Sequence, residues 1–534
     1  MKNSLLFWIF AILFIATLLP YFAMLPIVDE PQHIYESFLS TQGQLIYRDF
    51  FEFTGPFPFW LTAGLIKLCG GISLIGIRCM VFFCMAICAW ITFHIFKPTL
   101  GKHWCFLGFM LFGILVLSEG LLQLNHHHIS TVCSMAALYS MYRYSTVGHT
   151  NWVTTAGLLT GLSGISTQTT GLFTALALCL WLVLWTPVNS RIKLLTCFIA
   201  GCLLPLGIVL AIFNQTINTL IEHTLLWPLQ GGYATTTSSW YLEDAFSRLS
   251  IGYAGFVPAF NIPTLLQGIT LAGSSMRLLL LAGLPVIGLS GLAWMLFKKH
   301  SLFSDASRET HWLILLGGLA LFLASLHNFN SFVHSIHSWI ALFLGLTIVQ
   351  RYLTSKLVNE HRVITIVSLM FCLMLAVPYS ILSLTTWQAP RAISYGTHEK
   401  ELISQISMPA PAQDINMITK HIYKHSMPEE TIFVFNRSAM FYLLSDRRNA
   451  TPFQFLIRHC NTDKNIQDAL NSLIQKQPKF IVYDQHDIGF FQSDYRVTQQ
   501  KIRDYRLTAL ENWIEENYLT IGNTGPYTLF ESRF

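Results

Sequence analysis

Long apolar runs dominate the first 385 residues and predict a bundle of membrane-spanning helices. About 20 apolar residues are enough for an α-helix to cross a bilayer. The run at residues 5–25 has no small-x-small cleavage site, so we interpret it as a retained first transmembrane helix, not a signal peptide. Further runs lie near residues 72–96, 103–118, 129–144, 152–167, 169–186, 194–213, 276–297, 311–326, 336–350 and 363–385. The pattern therefore predicts about eleven transmembrane helices, a count that shifts by one or two if short runs are read differently.

The basic residues between these runs predict the orientation of the chain. With the N-terminus in the cytoplasm, the inside segments carry twelve Lys and Arg residues: Lys2, Lys97, Lys102, Arg143, Arg191, Lys193, Lys298, Lys299, Arg308, Arg351, Lys356 and Arg362. The outside segments before residue 386 carry four: Arg48, Lys67, Arg248 and Arg277. This distribution obeys the positive-inside rule. Eleven crossings then place the C-terminal tail on the periplasmic or lumenal side.

The tail, residues 386–534, has a different character and predicts a small soluble α/β domain. It holds 32 of the 61 charged residues of the chain, 16 basic and 16 acidic. Strands are predicted at 431–435, 480–484 and 527–532, and helices near 413–425, 439–446, 463–476 and 497–517. Such alternation is typical of a mixed or parallel sheet. With Cys460 as its one cysteine and no Gly-rich phosphate loop, the tail is neither disulfide-stapled nor a nucleotide site.

Composition narrows the class of protein. The chain is 53% hydrophobic and 11% charged, with a mean hydropathy of +0.48. These values exclude a disordered chain, a nucleic-acid-binding module and an ordinary cytosolic enzyme. We attribute the net charge of +5 to Lys and Arg that face the membrane, so the bilayer is an expected partner and nucleic acid is not. The predicted fold class is a polytopic α-helical membrane protein, residues 1–385, followed by the α/β tail.

Acidic residues gather on the predicted outer side, where hydropathy does not require them. The outer segments hold nine: Asp29, Glu30, Glu36, Asp49, Glu52, Glu119, Glu222, Glu243 and Asp244. Five of them lie in residues 26–71, which we call the first outer loop. A solvated loop would explain them, but this loop is unusually apolar and aromatic. The stretch VDEPQHIYESFLSTQG predicts a helix along the interface, with Asp29 at its N-terminal end and Pro31 in its first turn.

Several motifs in this region resemble one family. The acidic pair Asp29-Glu30 directly after the first apolar run, the stretch YRDF followed by GPFPFW, and KLCGG followed by GIR are similar to those of GT-C-type integral membrane glycosyltransferases. The resemblance is to the bacterial branch related to protein O-mannosyltransferases and to the aminoarabinose transferase of lipid A. It implies transfer of a sugar from a polyprenyl-phosphate carrier to lipid A or lipopolysaccharide, a cell-surface glycan or a protein. It also implies a bacterial inner membrane protein with a periplasmic C-terminal domain.

The resemblance assigns chemistry to the acids of the first outer loop. The acceptor must lose a proton, and a carboxylate beside apolar helices can reach the pKa that a general base needs. Asp29 corresponds to the base of the family, Glu30 is its motif partner, and Asp49 is predicted as a second acid that orients the acceptor or the sugar. Asp29 is equally placed to cap a helix. Asp49 can instead form an ion pair with the neighbouring Arg48.

The leaving phosphate needs positive charge. The cations on the outer side or at its boundary are Arg48, Lys67, Arg78, Arg248, Arg277 and Arg391. Arg78 falls inside a spanning run, where a charge is costly unless it is paired or functional, although it can also snorkel to the interface. We predict that at least one of these six binds the donor phosphate.

Polar residues in two further outer connections are candidate donor ligands. His126, His127 and His128 join the third and fourth helices; one or two of them can bind the carrier phosphate, or His127 and Glu119 can bind a divalent metal. The alternative is interfacial packing. A second outer cluster contains His327, His334 and His337, which can likewise contact phosphate or sugar or pack at the interface. Gln168 lies in the small, polar turn 161–171 and is a candidate sugar contact, with plain helix packing as the alternative.

The connection at residues 214–275, the long outer loop, is too long for an idle connector. Its glycines, Thr/Ser run and aromatic residues Trp227, Trp240 and Tyr241 suggest a mobile cover over the site, or an extra interfacial helix.

Two other functions remain as alternatives to a glycosyltransferase. A polytopic transporter would show broken helices and ionisable groups at mid-membrane, whereas the acids here gather at one surface. A polysaccharide polymerase or ligase would usually concentrate its essential charges in one large later loop. A noncatalytic membrane scaffold is a third option.

Overall fold

The structure is a computed structural model that describes residues 30–117, 124–230, 283–298, 308–326, 336–356, 394–395, 410–435, 438–456, 461–484, 507–525 and 527–533. Two short helices form most of the first outer loop: α1 (Glu30–Thr41) and α2 (Phe57–Leu68). The helices of the bundle are α3 (Leu74–Leu117), α4 (His126–Val147), α5 (Asn151–Gly164), α6 (Gln168–Trp185), α7 (Val188–Ile212), the short α8 (Ile217–Ile221) and α9 (Trp227–Gln230), α10 (Gly283–Phe297), α11 (Arg308–Leu326) and α12 (Trp339–Lys356).

The observed helices follow the apolar runs closely within the described ranges. The runs at 72–96 and 103–118 form the single element α3, which contains Pro98 and bends at Gly101. Gly101 has a φ of 72°, a left-handed backbone conformation that favours glycine, so the bend sits where the sequence permits it. The predicted first helix at 5–25 and the run at 363–385 lie outside the described residues.

Three described helices are long and apolar enough to cross a membrane: Leu74–Gly101, Gln168–Trp185 and Val188–Ile212. Large apolar side chains remain exposed on them, such as Phe83 on α3, Leu176 on α6 and Leu204 on α7. A water-soluble surface rarely shows so many, whereas lipid tails solvate them well. The chain is therefore a mostly helical membrane protein, and the total of eleven crossings stays a prediction.

The C-terminal part contains a five-stranded mixed sheet with the strand order β4-β3-β5-β7-β6. Its strands are β3 (Thr431–Phe435), β4 (Arg448–Asn449), β5 (Phe480–Asp484), β6 (Tyr518–Thr524) and β7 (Tyr527–Ser532), and a separate pair joins β1 (Ile72–Ser73) to β2 (Ser394–Tyr395). β4 and β5 run parallel to β3, while β7 is antiparallel to both β5 and β6. The helices here are α13 (Ala410–His425), α14 (Met440–Ser445), α15 (Asp463–Lys476) and α16 (Thr508–Asn517).

The first outer loop lies between the helical bundle and the sheet. Its residues Tyr35, Tyr47 and Phe59 belong to the same buried cluster as strand residues of the sheet, including Val434 and Val482. The sheet therefore packs on the segment that carries the predicted catalytic acids. The assignment of residues 386–534 to a separate periplasmic domain stays a prediction.

Candidate functional site

A buried ion pair fixes the start of α1. Nη2 of Arg78 lies 2.7 Å from Oε2 of Glu30, and Nε of Arg78 donates to Oε1 of the same carboxylate at 3.2 Å. The backbone amide of Leu124 donates a third hydrogen bond to Glu30 Oε1, at 3.0 Å. Both charged side chains are 0% exposed. Glu30 is therefore held by α3 and by the segment before α4 at once.

The chemistry of this pair is governed by burial. Burial raises the pKa of the Glu30 carboxyl, while the Arg78 guanidinium and the Leu124 amide act in the opposite direction. Removing one partner of a buried pair leaves an uncompensated charge and costs about 3–5 kcal/mol. Arg78 keeps one donor, Nη1, with no hydrogen-bond partner among the described residues. Its predicted role toward the donor phosphate stays a prediction, and Nη1 is the atom that such a role would use.

A cluster of histidines lies against the same segment. Asn125 caps α4 by accepting the backbone amide of His127 on its side-chain oxygen at 3.0 Å. Nδ1 of His128 lies 3.2 Å from the Asn125 carbonyl oxygen, which fits the interfacial interpretation of this histidine. The His126 and His127 rings pack 4.0 Å apart.

His127 is linked to His337 from the turn before α12. Nδ1 of His127 lies 3.2 Å from Nε2 of His337, whose Nδ1 lies 2.7 Å from the Thr131 hydroxyl. Thr131 donates its proton to the His127 carbonyl oxygen at 2.6 Å, so it accepts from His337. If both rings are neutral, His127 then donates from Nδ1, and its Nε2 carries the lone pair.

No group of three His, Cys, Asp or Glu side chains within the described ranges is arranged to hold a metal ion. Glu119, the predicted metal partner of His127, lies outside those ranges, as do His327 and His334. Metal binding therefore stays a prediction.

A second acidic site lies further along α1, and sequence reasoning did not single it out. Nε2 of Gln32 donates to Oε1 of Glu36 at 3.0 Å and to Oε2 of Glu52 at 3.3 Å. Both carboxyl groups are buried. His33 stacks on Phe59 with the ring centres 4.2 Å apart. Burial lowers the pKa of His33 to about 3, and the charges of His126 and His128 add to this effect.

Gln168 connects two outer loops. Its Nε2 donates to the carbonyl oxygen of Phe53 at 2.9 Å and to that of Thr224 at 3.3 Å. The turn below it is tight, since a Cβ added at Gly171 would lie 2.2 Å from the Gly164 Cα. The close helix approach predicted from residues 161–171 is thus observed, and the predicted contact of Gln168 with the sugar stays a prediction.

The beginning of the long outer loop is anchored. Trp227 is buried, packs on Phe53 and donates its indole N–H to the side chain of Asn465 at 2.9 Å. Lys464 forms an ion pair with Glu222 at 2.5 Å. Trp227 is therefore an anchor in this structure. Residues 231–282, which contain most of the predicted mobile cover, lie outside the described ranges.

Arg48 and Asp49 occur at a different place from Glu30. They form the ion pair that was the alternative interpretation, with Nη2 of Arg48 2.7 Å from Oδ2 of Asp49. The hydrogen bond from Arg48 lowers the pKa of Asp49. Both line a cleft of about 750 Å³ between the first outer loop and the sheet, together with Arg448, Lys476 and Tyr35.

The other predicted cations and acids are not gathered around Glu30 in the described part of the chain. Lys67 is exposed in the last turn of α2, where a cation suits the helix dipole. The remaining site candidates lie outside the described ranges: Asp29, Arg248, Arg277 and Arg391.

Comparison with known proteins supports the family resemblance. Residues 54–213 match the family model described as dolichyl-phosphate-mannose-protein mannosyltransferase. This range runs from the turn after Glu52 to the end of α7. The match confirms the predicted resemblance to membrane glycosyltransferases and the predicted enzyme class, a glycosyltransferase with a lipid-phosphate sugar donor. No curated protein matches the chain.

Solved structures resemble the chain over nearly its whole length. Archaeal oligosaccharyltransferase AglB from Archaeoglobus fulgidus is 12% identical with a TM-score of 0.48, covering 100% of this chain and 75% of its own. ArnT from Cupriavidus metallidurans is 10% identical with a TM-score of 0.44, covering 99% and 98%. Arabinofuranosyltransferase AftD from Mycobacteria is 12% identical with a TM-score of 0.40, covering 98% and 40%. Likenesses of this size do not carry substrates or residue roles from one chain to another.

Proposed function

We propose that this protein transfers a sugar from a polyprenyl-phosphate carrier to an acceptor at the outer face of a bacterial inner membrane, with Asp29 as the general base. In this proposal the N-terminus is cytoplasmic, and residues 386–534 are periplasmic. The acceptor is a lipid A or lipopolysaccharide molecule, a cell-surface glycan or a protein.

The observation that carries this proposal is the fixed carboxylate of Glu30. Asp29 is bonded to Glu30, and consecutive Cα atoms lie about 3.8 Å apart, so the contacts that hold Glu30 would also support a base at Asp29. A general base works only when it is held within hydrogen-bond reach of the proton that it removes. Arg78 and the Leu124 amide supply that support from two other elements. Glu30 is then a positioning residue and Asp29 the base.

The phosphate end of the donor needs a cation or several hydrogen-bond donors. Nη1 of Arg78 belongs to the ion pair with Glu30, and Leu124, whose amide donates to Glu30, lies two residues before the His126–His128 segment. We propose that the carrier phosphate binds on this side, with its lipid tail in the bilayer.

We place a part of the acceptor that is remote from its reacting group in the cleft that Arg48 and Asp49 line. Its volume, about 750 Å³, suits part of a glycan or lipid headgroup. Arg448 and Lys476 reach it from the sheet side without an ion-pair partner among the described residues. Burial lowers the pKa of the Lys476 ammonium, so a bound anion would restore part of the lost solvation. Glu429 also lines the cleft, so three basic and two acidic side chains line it, and the net positive charge favours an anionic acceptor.

The general-base proposal is tested by Asp29→Asn in the purified full-length protein. Radiolabelled polyprenyl-phosphate sugar is supplied with bacterial membranes, and label in the acceptor fraction is measured. The expected loss of transfer is about 10²–10⁴-fold, the usual contribution of a general base. Glu515→Gln, an exposed acid on α16, is the matched control and should keep the wild-type rate. Transfer at the wild-type rate in a folded Asp29→Asn protein would remove Asp29 as the base.

The acceptor cleft is tested separately by the double variant Arg448→Gln/Lys476→Gln. We expect transfer to fall while release of the sugar into water continues, because the donor site is intact. The control is Lys420→Gln/Lys424→Gln, which makes the same charge change at exposed positions of α13. Equal losses in both double variants would argue for a general charge effect instead of a cleft.

A further inference from the structure

The two carboxyl groups of Glu36 and Glu52, which we call the acid pair, have no described ion-pair partner. One amide group, that of Gln32, donates to both of them, and both are buried. Two carboxylates in contact inside a protein cannot both stay ionised without a cation, so the pair is expected to hold one proton.

The hydrogen bonds decide which carboxyl carries the proton. Oε1 of Glu52 accepts the backbone amides of Phe53 and Thr54, both at 2.8 Å, so the Glu52 carboxyl already has two backbone donors. Oε2 of Glu36 is buried and faces no hydrogen-bond donor among the described residues. A proton on this oxygen would turn it into a donor toward Glu52. Burial, together with the charge and hydrogen bond of Glu52, raises the pKa of Glu36 well above its usual value.

The turn that Glu52 holds is a contact point of the first outer loop. The Phe53 carbonyl accepts from Gln168, and the Thr54 carbonyl accepts from the Tyr47 hydroxyl. The next residue, Gly55, packs closely on Ile165: a Cβ added at Gly55 would lie 2.0 Å from the Ile165 carbonyl oxygen. The acid pair therefore joins α1 to the turn that seats the loop on α5 and α6.

We propose that Glu36 is kept as a neutral carboxylic acid and is a positioning residue, whose proton, donated to Glu52, holds α1 and its first residue Glu30 in place. This inference rests on the proposed function, because the purpose of the support is to position the Asp29-Glu30 motif. Ionisation of Glu36 would place two negative charges together and push α1 away from the turn. Among the described residues, Tyr35 and Tyr47 also interact electrostatically with Glu36, and burial raises the pKa of each, to about 12 for Tyr35.

The test is Glu36→Gln in the full-length protein, since glutamine keeps the shape and the donor of a neutral acid and cannot ionise. At pH 7 we expect transfer within about threefold of wild type. The wild-type protein should lose activity as the pH rises through the raised pKa of Glu36, and in the variant this decline should move upward by about one pH unit or more. Glu516→Gln, an exposed acid, should keep the wild-type profile.

A second measurement does not depend on activity. A buried acid with a raised pKa makes the folded state bind more protons than the unfolded state, so stability falls as the pH rises above the usual pKa of glutamate. The thermal midpoint of the wild type should therefore fall between pH 5 and pH 9, and that of Glu36→Gln should fall less. The inference would be overturned if Glu36→Gln and wild type showed the same fall of thermal midpoint with pH or the same loss of activity at high pH. A Glu36→Gln protein that does not fold would also overturn it. An active Asp29→Asn protein would instead refute Asp29 as the base. The pH dependence of the thermal midpoint would still test the role of Glu36.

Discussion

Replacing either member of the Glu30–Arg78 ion pair should give two variants whose stabilities depend differently on pH. Glu30→Gln leaves a buried guanidinium without its counter-charge, and arginine cannot release its proton in a protein. Arg78→Gln leaves a buried carboxylate, but this group can take up a proton. Burial already raises the pKa of Glu30 with Arg78 present, so the loss of Arg78 should raise it further.

The magnitudes follow from the burial of the pair, with both side chains 0% exposed. Each single variant should lose about 3–5 kcal/mol of stability at high pH. For Arg78→Gln, the loss should shrink by up to about 1.4 kcal/mol for each pH unit as the pH falls from the pKa of Glu30 in the variant to its lower pKa in the wild type. Glu30→Gln leaves no carboxyl at position 30 that can take up a proton, so its loss should not shrink as the pH falls. The double variant should lose less stability than the two single variants lose together.

Unfolding of the detergent-purified protein, followed by circular dichroism at several pH values, measures these differences. Lys479→Gln is the matched control, because Lys479 and Glu430 form a partly exposed pair at 4.0 Å. An exposed pair contributes about 0–1 kcal/mol. If Arg78→Gln costs no more than Lys479→Gln, or if both single variants of the buried pair show the same pH slope, the account of Glu30 and Arg78 is wrong.

Three further variants test how the outer loops are held. Gln168→Leu removes both hydrogen bonds between the outer loops and should lower transfer severalfold with a stability loss of about 1–3 kcal/mol, measured by activity and thermal unfolding together. Gly55→Ala should destabilise the protein by more than about 1 kcal/mol, because its Cβ meets the Ile165 carbonyl oxygen; a neutral effect would show that the turn can move. Trp227→Ala should cost about 3–5 kcal/mol and should increase proteolysis within the long outer loop, whereas unchanged proteolysis would speak against its role as an anchor.

Helices and strands were predictable where one residue pattern persists over the whole element. The apolar run at 169–186 became α6 (Gln168–Trp185), and the strand predicted at 480–484 is β5. β6 (Tyr518–Thr524) was missed, because its side chains are mostly exposed and lack the apolar signal of a buried strand. The predicted helix at 497–517 is described from Thr508 onward and ends at Asn517, where β6 begins.

The site was predictable only in part, because side-chain partners depend on contacts between distant segments. Arg78 stood out in the sequence as a costly charge inside an apolar run, but its ion-pair partner Glu30 lies 48 residues away. Glu36 and Glu52 were counted among the nine outer acids without a predicted role, since their proximity exists only once α1 packs on the following turn. Adjacent residues were easier to interpret: Arg48 and Asp49 form the ion pair that their spacing allowed.

The burial of the first outer loop under the sheet has a practical consequence for engineering. A chimera that exchanges only residues 410–534 with those of a relative would set a foreign sheet on the ring of Tyr35 and on its hydrogen bond with the Asn449 amide. It would also expose apolar side chains such as Phe50 wherever the new surface did not fit. Grafts should therefore move the loop and the sheet together as one cassette.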